Sequence, residues 1–166
     1  MSVDLKRTVR HLTTTLWSVR RALPPVAMQA IEQAIRKTES THEGQLRFAV
    51  EHALSLPHLL AGVSARDRAI EVFSHLRVWD TQHNNGVLIY LLFADRDVEI
   101  VADRGIHQHV GEDWVAICRG MEERFRRGEF EAGVLEGIAA VGDHLERHFP
   151  RRRRGPNELP DAPVVL

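Results

Sequence analysis

The run Val87–Ala94, VLIYLLFA, constrains the fold more than any other stretch of the chain. It is the longest apolar stretch, and it is far too short to span a bilayer. From Val87 to Phe93 it is apolar on both faces, which predicts a central strand covered on two sides. Asp95, Arg96 and Asp97 then make a tight turn. Val98, Ile100 and Ala102 follow, alternating with Glu99, Val101 and Asp103, so a second strand is predicted. The two strands form an antiparallel hairpin.

Upstream, Leu46, Phe48 and Val50 alternate with Gln45, Arg47 and Ala49, and this period of two predicts another strand with one better-buried face. Ser55–Val63 reads as a loop. Ser64 is a good helix N-cap with Asp67 three residues on, and Ala69, Ile70, Phe73 and Leu76 supply the apolar stripe of a helix reaching about Val78. A strand, a helix and a strand in that order predict a right-handed parallel crossover. Pro24 and Pro25 open an earlier helix, and two helices close the chain: one carries Trp114, Ile117, Cys118, Met121 and Phe125 on a face, the other Phe130, Val134, Ile138, Val141 and Leu145. The expected fold is an α/β three-layer α/β/α sandwich around a small mixed sheet, with a parallel crossover plus an antiparallel hairpin. Residues 1–23 read as a basic, weakly helical segment, 24–150 as the domain, and 151–166, with four arginines and three prolines, as a disordered tail.

Charge is unevenly spread. The formal total over 166 residues is −1. Residues 1–21 carry five basic side chains against Asp4, and residues 151–166 carry four against Glu158 and Asp161, which leaves the middle at −7. The single cysteine, Cys118, excludes an intrachain disulfide and a cysteine-based zinc site. No secretory leader or transmembrane segment is recognisable, so the cytoplasm is the expected location. No GxGxxG, P-loop, GxSxG or HExxH pattern occurs.

Topology gathers the polar loops. The starts of the two parallel strands and the end of the third share one edge of the sheet. There Glu39, Thr41, His42 and Glu43 meet Asp80, Thr81, His83, Asn84 and Asn85, and also Asp103, Arg104 and Gly105. The opposite edge, at the carboxyl ends of the parallel strands, is where ligands of open α/β sheets usually bind. The polar residues and the general rule therefore point to opposite ends. Asp80, Asp103 and Glu39 form a candidate set for a hard cation such as Ca²⁺ or Mg²⁺, with Asn84 or Asn85 and water completing the shell. Such an ion would polarise a phosphoryl oxygen and activate water, with Asp80 and Asp103 as the catalytic pair and Arg104 as a binding residue. The competing reading is that Asp80, Asn84 and Asn85 are ordinary turn formers. His107 and His109 would point to the same side of an extended segment as a lesser metal candidate.

The succession ESTHEGQLRFAVE, FSHLRVWD, NNGVLIYLLFADRDVEIVADRGI and FRRGEFEAGVLEGI, spanning about residues 26–149, resembles the TPM domain family. The family includes bacterial membrane-anchored proteins and a thylakoid-lumen protein linked to photosystem II repair. The resemblance implies an α/β/α sandwich. Some members are described as acid phosphatases with a bound divalent cation. By position, Asp80, Asn85, Gly86, Asp103, Gly105 and Glu39 match the family's pattern. Two positions depart from it. Gly44-Gln45-Leu46 stands where many members read Gly-Glu-Ile, and Asp103-Arg104-Gly105 keeps one glycine of a usual pair. Both departures count against phosphatase activity. The expectation is a binding or accessory module with an unidentified protein partner, in membrane-protein or envelope maintenance, with no integral membrane segment. The alternative is a weak divalent-metal-assisted phosphomonoesterase. The acidic body argues against nucleic acid.

Overall fold

The computed structural model describes residues 4–152 and 155–166. In chain order the elements are α1 (Leu5–Thr13), α2 (Leu16–Ala22), α3 (Pro25–Glu39), β1 (Gln45–Glu51), α4 (Leu56–Leu60), α5 (Ala65–His75), β2 (Gly86–Leu92), β3 (Asp97–Ala102), α6 (Arg104–Val110), α7 (Asp113–Arg126), α8 (Phe130–His148) and β4 (Val164–Val165).

The sheet has the order β3-β2-β1-β4. β2 is central and buried at all seven positions, as a run apolar on both faces requires. It pairs antiparallel with β3, Ile89 opposite Ile100, and parallel with β1, Phe48 opposite Ile89. The crossover between the parallel strands runs through α5, which starts in the full Ser64/Asp67 capping box that its sequence announced.

Two hydrophobic clusters lie on the two faces of the sheet and make the three layers. Leu46, Phe48, Val50, Ile89 and Ile100 face α3, α7 and α8 through Ile31, Ile35, Phe125, Ile138 and Val141. Ala49, Leu88, Tyr90 and Val101 face α5 through Ala69, Val72 and Phe73. The closing helices α7 and α8 pack closely because Gly133 and Gly137 lie under Phe125 and Met121, where a Cβ would collide with those side chains. No helix among the described residues is long and apolar enough to cross a membrane.

Four expectations change. The 151–166 segment, expected to be disordered, runs from the start edge of the sheet along β1 and adds β4, parallel to β1. Its anchors are hydrogen bonds that composition does not reveal: Gln45 Oε1 accepts the Glu158 and Leu159 amides, Arg47 donates to the Pro160 carbonyl, and the Leu166 amide donates to Val50 O at 2.8 Å. Arg153 and Arg154 of its arginine run lie outside the described residues. This docking also explains why β1, expected to show one better-buried face, is buried at all seven positions. The Ser55–Val63 loop contains the short helix α4. His107 sits on α6 rather than in an extended segment, which removes the geometry expected for the His107/His109 pair; the side chain of His109 lies outside those described.

Residues 4–23 dock on the domain. Val19 and Leu23 are fully buried. The inward face of α1 is polar: Arg7 Nε donates to Asp95 Oδ2 at 2.9 Å, Arg10 pairs with Asp95 Oδ1, and His11 Nε2 lies 3.1 Å from the same oxygen. His11 Nδ1 accepts the Leu54 amide at 2.9 Å, and Arg7 reaches the Val63 carbonyl. Burial of Asp95 would raise its pKa, but the Arg10, Arg7 and His11 contacts outweigh that and hold it below the ordinary carboxylate value.

Candidate functional site

The two ends of the sheet are treated differently. At the carboxyl ends of β1 and β2, the following loops are tied to α1 through Leu54, Val63 and Asp95, so helix closes the end that open sheets usually leave for ligands. At the starting ends there is a cleft of about 150 Å³, lined by Glu39, His42, Glu43, Gln45, Gln82, His83, Asn85, Arg151 and residues 155–158. Two of the three predicted polar stretches meet there, joined by the C-terminal segment.

Local chemistry holds the cleft in shape. Glu39 ends α3 and is buried; its Oε1 accepts the Leu46 amide, the second residue of β1, at 2.6 Å. Burial pushes its carboxyl up to about 8, against the pull of that amide toward the charged form; the nearby Asp161 carboxylate pushes the same way as burial. Glu39 is therefore largely protonated at neutral pH. His42 is buried beside it, 3.2 Å from Thr38 Oγ1, and burial pushes its imidazole down to about 4, so it is neutral. Asn85 is 7% exposed. Its side-chain amide donates to the Glu43 carbonyl, while its Oδ1 is buried with no hydrogen-bond partner among the described residues. Arg151 reaches across from the C-terminal segment, donating from Nη1 to the Glu39 carbonyl at 2.8 Å and from its amide to the Thr41 carbonyl at 3.0 Å.

Two glycines set the third stretch. The amide of Gly105 donates to Asn84 O at 3.0 Å, and a Cβ at Gly105 would collide with the His83 and Asn84 carbonyls. A Cβ at Gly86 would collide with the Val78 carbonyl. These backbone approaches pull the 81–85 loop onto the start of α6, which is why both positions accept only glycine in this packing.

The structure separates the candidate residues. Glu39 and Asn85 line the cleft; Asp80, Asn84, Asp103 and Arg104 do not. Asp80 is exposed and pairs with Arg77 at 2.5 Å, three residues before it. Asp103 caps α6, its Oδ1 accepting the Arg104 amide at 2.7 Å, and its Oδ2 is buried without a partner among the described residues. Arg104 is exposed, and Asn84 contributes its carbonyl rather than its side chain. Among the described residues no group of three or more His, Cys, Asp or Glu is placed to hold a metal ion. Asp80, Asp103 and Glu39 are thus not brought together: Asp80 pairs with Arg77, Asp103 caps α6, and Glu39 lines the cleft with its Oε1 on the Leu46 amide. Gln45, Arg151 and residues 155–158 entered the site without being anticipated. Gln45 was visible as a departure from the family pattern, but its partners lie more than a hundred residues away.

Cys118 lies on the partly buried edge of the α7 stripe, where burial pushes its thiol up to about 12. It is not a poised nucleophile.

A family model described as the TPM domain matches residues 20–144. Among solved structures, the protein BA42 from the psychrophilic bacterium Bizionia argentinensis is similar at 30% identity and a TM-score of 0.76, over 87% of this chain and 95% of that one. The N-terminal domain of a P. gingivalis protein shares the fold at 19% identity and a TM-score of 0.62, over 80% and 83% of the two chains. A comparison with curated proteins returned no match. The family match spans well over half of the sequence and the BA42 structure shares the fold at 30% identity, and on that basis the chain belongs to the TPM domain family.

Proposed function

We propose that the protein is a binding or accessory module without turnover of its own, and that its receiving face is the cleft at the starting edge of the sheet. The supporting observation is the contrast between the two ends of the strands. One is sealed by α1 through Asp95, and the other keeps an open polar cleft with the buried, unpartnered acceptor Asn85 Oδ1 in its wall. A buried acceptor without a partner costs free energy, and a ligand bearing an N–H or O–H donor would relieve that cost. A protein partner in membrane-protein or envelope upkeep fits this reading, because such a role needs recognition rather than chemistry.

The competing reading, a metal-assisted phosphomonoesterase, requires Asp80 and Asp103 to share one cation with a water between them. In support of the binding reading, Asp80 is paired with Arg77 and Asp103 Oδ1 with the Arg104 amide, and neither lines the cleft. The test is turnover of p-nitrophenyl phosphate by the full chain with and without Mg²⁺ or Ca²⁺. A rate equal to buffer is expected. Metal-dependent hydrolysis that disappears in Asp80→Ala or Asp103→Ala would replace this proposal with the enzyme.

A further inference from the structure

We propose that the outward face of the two N-terminal helices is a docking surface for an anionic lipid bilayer. Residues 5, 9 and 12 fall on one side of a helix that turns 100° per residue, and residues 7, 10 and 11 fall on the other. In α1 the second set, Arg7, Arg10 and His11, is the one held against the domain by Asp95. The apolar set is left outside: Leu5 is 73% exposed and Leu12 is 63% exposed, with Val9 between them. This inverts the usual burial of an amphipathic helix, where the apolar stripe packs on the core. Trp17 on α2 is 65% exposed, and α4, which lies against α1, exposes Leu56 and Leu60. So many large apolar side chains in one region mark a contact surface.

The charge around this face selects the occupant. Asp4 caps the start of α1, and from Leu5 to Ile31 there is no further Asp or Glu; of the five basic residues in that stretch, Arg7 and Arg10 are taken up by Asp95. Lys6, Arg20 and Arg21 are exposed, and the Arg21 guanidinium lies 5.4 Å from the centre of the Trp17 ring. Apolar anchors, a tryptophan and basic residues together suit the headgroup region of a membrane with negative surface charge. A second copy of this chain suits it less well, since a two-fold contact would bring the same basic face against itself. The bilayer would receive the apolar side chains a short way below the headgroups while the domain stays outside, with α1 lying flat because its polar face is clasped. This surface is separate from the starting-edge cleft, so its failure leaves the cleft reading standing.

The experiment is co-sedimentation of the full chain with vesicles of phosphatidylglycerol and phosphatidylcholine in equal parts, against vesicles of phosphatidylcholine alone. The chain is expected to pellet with the first and largely remain in solution with the second, and added salt should release it. Leu12→Asp and Trp17→Asp are each expected to weaken the binding by roughly tenfold or more. Both positions are exposed, and unchanged thermal melts would show that the fold is intact. A wild-type chain that stays in solution with anionic vesicles overturns the proposal. Equal binding by both variants overturns it as well. A lipid-free dimer that Leu12→Asp dissociates would reassign the face to self-association and overturn it too.

Discussion

Gln45 Oε1 accepts the backbone amide of Leu159 at 3.0 Å, and of the preceding Glu158 at 2.8 Å. One side chain at the start of β1 thereby turns the C-terminal segment onto the sheet, where Leu159 is buried against the α5 layer. The side-chain amide oxygen of Gln45 thus acts as a structural acceptor.

Gln45→Ala should therefore loosen the C-terminal segment. Two amides lose a buried acceptor, which costs about 1–3 kcal/mol. Denaturant unfolding reads the loss, and hydrogen exchange should show faster exchange at the Leu166 amide, which bonds Val50 O. Unchanged exchange there would mean that the backbone pairing of β4 with β1 suffices to hold the segment.

Glu39 predicts a pH dependence with a definite sign. Its carboxyl rises from an ordinary 4.5 to about 8 on folding, so the folded state holds a proton that the unfolded state releases. That stabilisation is complete below 4.5 and is lost as pH rises through 8. His42 acts oppositely: its pKa falls from 6.5 to about 4, so its contribution is present above 6.5 and is lost as pH falls through 4. The two slopes oppose each other between 4.5 and 6.5. Above 6.5 the Glu39 slope stands alone, and stability should decline up to pH 8. Glu39→Gln keeps an acceptor for the Leu46 amide without the titration. Its melting temperature should stay flat over this window and exceed that of the wild type at the upper end.

The α5 face contains a buried polar cluster. Arg68 grips Glu51 at 2.8 and 3.0 Å, and the Tyr90 hydroxyl donates to Glu51 Oε2 at 2.6 Å. Glu51→Ala leaves the buried Tyr90 phenol without its acceptor and Arg68 with Glu71 alone, at 2.8 Å, and should cost about 3 kcal/mol. Tyr90→Phe removes one donor and leaves Glu51 paired with Arg68, so its cost should be about 1–2 kcal/mol. Urea midpoints of the two variants check the ranking, and a larger loss in Tyr90→Phe would contradict it.

Asp95→Ala should release α1 from the carboxyl ends of the strands. The two arginines are partly exposed, so solvent screening reduces their share, and the expected cost is about 1–3 kcal/mol. Limited proteolysis should then cut within residues 4–15 while the rest of the domain persists. Protection equal to the wild type would mean that the buried Val19 and Leu23 hold the segment without the clasp.

Periodicity made the hairpin, the crossover and the Ser64 cap legible, because β2 and α5 bury faces that local spacing encodes. It also identified the edge where Glu39 and Asn85 meet. Asp80 and Asp103 lie outside the cleft, and an aspartate that caps a helix or pairs within a turn has the same sequence appearance as a ligand. The attachment of α1 was illegible for a related reason: its polar face is the buried one, so the apolar spacing pointed away from the contact. The C-terminal segment was misread from its proline and arginine content. Gln45 and Arg47 hold it through its backbone, Arg151 within it reaches the Glu39 carbonyl, and composition carries no record of such bonds.

The measurement that most directly tests the assignment of function to one end of the sheet is an amide chemical-shift map of the full chain, titrated with acetamide as a small N–H donor and, separately, with inorganic phosphate. The account predicts that whatever saturable shifts occur fall on residues 39–45, 82–85 and 155–158. Shifts concentrated instead on residues 52–63 and 93–97, at the end closed by α1, would contradict it.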